Sequence, residues 1–303
     1  MKTLSIIIAV APYRNAEVLK SIKSLGYNSK RYEIIVKKGK NTSENRNYGI
    51  KKAKGEIIAF VDDDAIVDKN WLKNAEDFFN EYNVDILGGP QLTPKNDSFF
   101  GKLAGAAIES YWCSYKMSKR YKKAKINLNA NELSLTSANC FVKKNVFKKL
   151  NGFNTKLWPG EDPEFFSRAK ENGFKIAYSP DLIIYHKRRN NLFSLLKQHY
   201  NYGNVRLKKE WINKKNVNFV MIIPSIFTLY TIFLPIMLIF SWQFILPILL
   251  HFIIDFLVSL FTSLKKNLLY LPFLPFIFFL VHFSYGFGML ISLFEKKITT
   301  GKR

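Results

Sequence analysis

The sequence predicts an α/β domain with a largely parallel sheet, followed by an α-helical membrane domain. Three observations carry this expectation. Residues 1–215 alternate short apolar runs with amphipathic stretches, the pattern of strands alternating with helices. From residue 216 onward the chain carries long apolar runs almost free of charge, each long enough to cross about 30 Å of hydrocarbon as a helix. The apolar run at 57–61 leads directly into Asp62-Asp63-Asp64, which puts three acids at the carboxyl end of a strand, where α/β sheets bind their ligands.

The elements follow in order. Leu4–Val10 reads as a buried first strand. With Lys2 before it and Ala9-Val10-Ala11 at its end it imitates a secretory signal, but it sits at the bottom of the length range for one. Asn15–Leu25 reads as a helix with Val18, Leu19, Ile22 and Leu25 on one face. Glu33–Val36 is a second strand, Glu44–Ala53 a helix and Ile57–Val61 a third strand. In the segment 98–125, Phe99, Phe100, Leu103, Ala107, Tyr111 and Trp112 form an apolar helix face. Lys116, Lys119, Arg120, Lys122, Lys123 and Lys125 follow it. Aromatic residues beside such a cation cluster suit an anionic lipid surface, and 192–215 is expected at the same interface. Pro163–Asn172 reads as a helix opened by Glu161 and Asp162, because acids and proline favour a helix start. The apolar strand Leu182–Tyr185 leads to His186.

The membrane domain, 216–303, is expected to hold about three segments: 219–240, 242–264 and 268–294. Prolines 224, 235, 247, 272 and 275 predict kinked or broken helices, and Ser241-Trp242-Gln243 a tight turn. Arg206, Lys208, Lys209, Lys214 and Lys215 precede the first segment, and Lys265 and Lys266 follow the second. The positive-inside rule puts both groups, and the N-terminal domain with them, in the cytoplasm. Three complete crossings would then put Lys296, Lys297, Lys302 and Arg303 outside, so a re-entrant third segment stays open beside a full span. His251 and Asp255 lie four apart on one face of the second segment. Ionisable groups there must face protein or a polar cavity, and a hydrogen-bonded helix contact is the simplest reading.

The chain has 303 residues and a formal charge of +23, so its partner is expected to be anionic. Nucleic acid would explain the charge but not the apolar runs, and no nucleic-acid partner is expected. The two cysteines, Cys113 and Cys140, have no metal-ligand spacing and are expected to be reduced thiols. The acids at 62–64 fit a divalent cation, since hard cations take carboxylate oxygens together with substrate phosphates. Such a cation neutralises a diphosphate leaving group.

Residues 4–190 resemble a family 2 glycosyltransferase of the GT-A (Rossmann-like) fold. Leu4–Leu25 is similar to its opening strand and helix, with Ala9-Val10-Ala11-Pro12 lengthening the loop, and Tyr32–Val36 to its second strand. Arg46-Asn47-Tyr48-Gly49-Ile50 and Lys54–Phe60 resemble the helix and strand before the family's Asp-x-Asp motif, which Asp62–Asp64 and the downstream Trp71-Leu72 match. Gly88-Gly89-Pro90 resembles a mid-domain glycine turn. Asn151-Gly152-Phe153 and Gly160-Glu161-Asp162 resemble the segment carrying the catalytic base. The chain departs from the family at Lys37-Lys38-Gly39-Lys40, where an Asp usually contacts the nucleotide base. It also has Gln198 without the Arg-Trp that completes the motif of processive synthases.

The resemblance implies an inverting, metal-dependent transfer from a nucleotide-diphosphate sugar. It implies a Mn2+ or Mg2+ held by Asp62 and Asp64, with His186 completing the site. Nucleotide-sugar contacts are implied for Pro12, Tyr13, Lys38, Arg46, Asn47, Asp62 and Asp63, and acceptor or interface contacts for Gly89, Trp158 and Arg206. The implied candidate for the base is Asp162, with Glu161 the alternative. A hydroxyl acceptor needs a base whereas a lipid phosphate does not, so a hydroxyl on a lipid-linked glycan is the expected acceptor at an anionic membrane. The competing expectations are a polyprenyl- or dolichyl-phosphate sugar synthase, a processive polysaccharide synthase, and an inactive membrane-tethered binding protein.

Overall fold

The computed structural model describes residues 4–157, 160–212 and 218–295. In chain order the elements are β1 (Leu4–Val10), α1 (Leu19–Lys23), β2 (Tyr32–Lys38), α2 (Thr42–Lys52), β3 (Ile57–Val61), β4 (Ile66–Val67), α3 (Trp71–Glu81), β5 (Ile86–Gly88) and β6 (Gln91–Leu92). Then come α4 (Phe99–Glu109), α5 (Tyr111–Ser114), β7 (Asn139–Lys143), α6 (Lys144–Leu150), α7 (Glu161–Glu171), β8 (Ile176–Tyr178) and β9 (Ile184–Tyr185). The chain closes with α8 (Leu192–Ile212), α9 (Phe219–Phe240), α10 (Leu246–Lys265) and α11 (Leu274–Phe294).

Two compact units emerge. One comprises residues 4–95 and 116–187, the other 96–115 and 188–295, among those described. In this division α4, α5 and α8 group with the C-terminal helices.

The first unit is built on a six-stranded sheet in the order β2-β1-β3-β7-β5-β8. β1 runs parallel to β2 and β3, and β5 parallel to β8, but β7 is antiparallel to both its neighbours. The sheet is thus mixed, a correction to the largely parallel expectation. Every residue of β3 is buried, which is why it reads as an uninterrupted apolar run. Its alternate side chains serve two cores: Ile57, Ala59 and Val61 pack with α1 and α3, whereas Ile58 and Phe60 pack with α6 and α7. A second sheet, β4-β9-β6, lies beyond the end of β3 in sequence.

Local chemistry sets the helix starts. Asn41 accepts hydrogen bonds from the backbone N–H of Ser43 and Glu44, so α2 begins two residues ahead of the expected Glu44. The expected helix Asn15–Leu25 shrinks to α1, and its first residues form turns.

In the second unit, α4 buries Leu103, Ala104 and Ala107 against Leu274, Ile277, Phe278 and Val281 of α11. The apolar stripe expected to meet lipid is therefore largely taken up by protein, leaving Phe99 and Tyr111 exposed. α8 packs closely on α11: a Cβ on Gly203 would stand 1.9 Å from the Tyr285 carbonyl oxygen, and one on Gly288 2.1 Å from that of Tyr200. Small residues allow helix backbones this close. α9, residues 242–265 and α11 are each long and apolar enough to cross a membrane. Pro224 and Pro235 lie inside α9, but Pro247 and Pro275 occupy the first turns of α10 and α11. There a missing N–H costs nothing, so these two prolines start helices instead of kinking them. The tight turn is present, with Ser241 capping a short 3-10 segment. Lys214, Lys215, Lys296, Lys297, Lys302 and Arg303 lie outside the described residues.

Candidate active site

β3 delivers Asp62, Asp63 and Asp64 at the carboxyl edge of the first sheet. Asp63 turns inward and is 1% exposed, whereas the side chains of Asp62 and Asp64 are 27% and 33% exposed. His186 is brought to them by the second sheet. β4 follows the triplet immediately and pairs antiparallel with β9, Ile66 opposite Tyr185. The His186 N–H donates to the Leu92 carbonyl at 3.0 Å. His186 Nε2 lies 2.9 Å from Asp64 Oδ1 and 3.9 Å from Asp62 Oδ2.

Buried bracing holds this geometry. Trp71 Nε1 donates to Asn139 Oδ1 at 2.9 Å, and Asn139 Nδ2 donates to the carbonyls of Pro90 and Leu182 at 3.0 and 2.6 Å. One side chain thus ties β7 to the start of β6 and to the segment leading into β9.

The acids face two arginines. Arg14, in the loop after β1, bonds Asp63 Oδ1 at 3.0 Å and also pairs with Asp64 Oδ2. Burial acts to raise the Asp64 pKa. The hydrogen bonds and charges of His186 and Arg14 outweigh it and hold the carboxyl well below the usual carboxylate range. Arg46, buried on α2, donates to Glu161 Oε1 at 2.7 Å and lies 3.5 Å from Asp62 Oδ1. Burial, together with the charge of Asp162, pushes Glu161 up against the pull of Arg46.

Gly160 precedes α7 with φ +119°, a left-handed conformation open to glycine. Glu161 then points inward to Arg46, while Asp162 is half-buried and its Oδ2 accepts the Ser137 N–H at 3.2 Å. The remaining expected residues divide. Tyr13 is 77% exposed in the loop after β1, and Lys38 is exposed at the end of β2, paired in register with Val10. Pro12 lies in the same loop as Tyr13.

Two of the expected residues have close partners within the fold. Asn47 spends both ends of its amide on Phe153, donating to its carbonyl and accepting from its N–H, each at 2.8 Å. These bonds position the segment before α7. Gly89 is buried, and a Cβ there would stand 2.3 Å from the Leu182 carbonyl oxygen, so close packing requires glycine at this position. Trp158 lies outside the described residues. Arg206 belongs to the second unit, half of an i,i+4 pair with Glu210 at 3.9 Å.

Arg14 is the residue that sequence reasoning misses. β1 and β3 are parallel neighbours, so the loop after one must run beside the loop after the other, and a cation there faces the acids.

Asp62, Asp64 and His186 offer one ligand atom each, all within 4.8 Å of one another. Two carboxylates and an imidazole form a donor set suited to Mn2+-type cations, so the residues fit the expected metal.

The mixed α/β sheet with acids at its edge is GT-A-like, and residues 4–201 match the family model described as glycosyltransferase-like family 2. The chain belongs to that family. Among curated proteins it is 28% identical over 158 residues to the glycosyltransferase AglE of Haloferax volcanii, covering 52% of this chain and 48% of that protein. It is 25% identical over 176 residues to the O-antigen chain rhamnosyltransferase WbaN of Salmonella anatum, covering 57% and 55%. The chain thus spans about half the length of these relatives. Among solved structures it resembles the mannosyltransferase PcManGT of Pyrobaculum calidifontis, in complex with GDP-Man and Mn2+. The TM-score is 0.57 at 13% identity, over 98% of this chain and 88% of that one, a likeness of fold.

Proposed function

We propose that this chain is a membrane-bound, metal-dependent inverting glycosyltransferase. It moves a sugar from a nucleotide-diphosphate donor to a hydroxyl acceptor at the membrane, a lipid-linked glycan. The observation that carries the reading is the convergence of Asp62, Asp64 and His186 at the sheet edge. The mannosyltransferase of similar fold that carries GDP-Man and Mn2+ supports it. A divalent cation there supplies charge neutralisation for the departing diphosphate.

The chain's own residues do the rest. Arg14 and the exposed Lys38 stand at the same edge and attract the diphosphate. Arg46 fixes Asp62 from behind. Asp162 takes the proton of the acceptor hydroxyl as its oxygen attacks the anomeric carbon opposite the leaving group. Glu161 is engaged by Arg46, which favours Asp162 over Glu161 as the base. The three apolar helices support work at a membrane, and the cations flanking the first two of them in sequence support a cytoplasmic first unit.

The test is a screen of UDP- and GDP-sugars with the purified full chain in detergent, with Mn2+ or Mg2+ and then with chelator. The reading expects metal-dependent release of one nucleoside diphosphate, abolished by D64N. Activity that survives D162N with full strength would instead favour a lipid-phosphate acceptor.

A further inference from the structure

A second cluster of metal-type ligands lies among the apolar helices. His251 and Asp255 are one turn apart on α10, and His282 projects from α11. Their three ligand atoms lie within 4.8 Å of one another. His251 Nε2 is 3.4 Å from Asp255 Oδ2 and 3.4 Å from His282 Nδ1.

We propose that His251, Asp255 and His282 form a tetrahedral divalent-metal site, best suited to Zn2+, that clips α10 to α11. This inference does not depend on the transferase reading. The distances are the first support. Bonds of about 2.0–2.1 Å to a tetrahedral zinc set its ligand atoms about 3.3–3.4 Å apart, matching both measured edges. The same spacing is long for a hydrogen bond, whose heavy atoms sit at about 2.7–3.2 Å.

The outward-facing atoms are the second. His282 Nε2 lies 3.0 Å from the Trp112 carbonyl oxygen. A carbonyl can only accept, so Nε2 holds the proton and the Nδ1 lone pair faces the cluster. Trp112 Nε1 donates to Asp255 Oδ1 at 2.6 Å. The other carboxylate oxygen, Asp255 Oδ2, is fully buried and has no hydrogen-bond partner among the described residues. Trp112 of α5 thus serves as outer support for two ligands, as metal sites require. An ionised carboxylate inside an apolar span is costly, and a bound cation offsets that charge. Phe227 stacks on His251 at 4.2 Å between ring centroids and walls the cluster with apolar surface.

The test uses the full chain carrying D62N and D64N, which removes the carboxylates of the first cluster. The protein is stripped with chelator in detergent and titrated with Co2+ and with Zn2+. The proposal expects one metal per chain, the intense visible absorption of tetrahedral Co2+, and a higher melting temperature with Zn2+. In H282Q, affinity should fall by at least about 100-fold, since losing a direct ligand costs more than losing an outer partner. If that variant does not fold, H251Q is read the same way. No bound metal in the D62N/D64N protein, or a Co2+ spectrum unchanged by loss of both histidines, overturns it.

Discussion

Arg46 and Glu161 meet as a buried ion pair at 2.7 Å, joining the helix before β3 to the first residue of α7. On the proposed mechanism the pair gives two neighbouring acids different roles: Glu161 locks the site together, and Asp162 is left to act on substrate. D162N is expected to lower turnover by about 100- to 10,000-fold with little change in melting temperature. E161Q is expected to destabilise by roughly 3 kcal/mol, because it strips a buried cation of its main partner. Steady-state kinetics and thermal melts of the two variants, side by side, check this division. Equal losses of activity at unchanged stability would reverse it.

Gly89 packs against the segment that leads into β9, the strand before His186. A Cβ at 89 meets the Leu182 carbonyl, two residues before β9 begins. G89A is therefore expected to cost about 1–3 kcal/mol and to raise the Mn2+ concentration needed for half-maximal activity. H186A should weaken Mn2+ at least about 10-fold, by analogy with losses seen for outer partners of metal ligands. Metal titrations of both variants read this directly.

The acid limb of stability is expected to depend on Asp64. Its folded pKa lies below the unfolded value of about 3.9. A depressed carboxylate stabilises the fold above its unfolded pKa, and that contribution is lost as pH falls through the lower folded value. Melting temperature in wild type should therefore fall more steeply than in D64N as pH drops below about 4. Parallel curves would show that Asp64 makes no such contribution.

Much of this site is legible in the sequence because its parts sit on strongly patterned elements. β3 is buried on both faces, so its apolar run and the acids after it stand out, and β1 is legible for the same reason. β7 is not: Asn139–Lys143 is short, and nothing local reveals that it runs antiparallel between β3 and β5. The roles of Asn47 and Glu161 are also hidden, because each is set by a partner more than 100 positions away. His186 is legible from its position after an apolar strand. Its contact with Asp64 depends on the small second sheet, whose strands of two residues carry too little pattern to read.

Lys208 pairs with Glu295 across α8 and the end of α11. Residue 208 precedes the first candidate span and 295 follows the third, so three complete crossings would put them on opposite faces. The pairing predicts that both face the same side. Single cysteines at the two positions should react alike with a membrane-impermeant thiol reagent in oriented vesicles. Opposite reactivity would mean three full crossings.

The claim on which the proposed function rests is that Asp62, Asp64 and His186 hold a cation that binds a nucleoside diphosphate. Titration calorimetry of UDP and GDP into the full chain, with and without Mn2+, tests it most directly. Tight binding of one nucleotide with Mn2+ is predicted, with weak binding without it and loss of the difference in D64N. Binding of equal strength with chelator present, or none of either nucleotide under any condition, would contradict it.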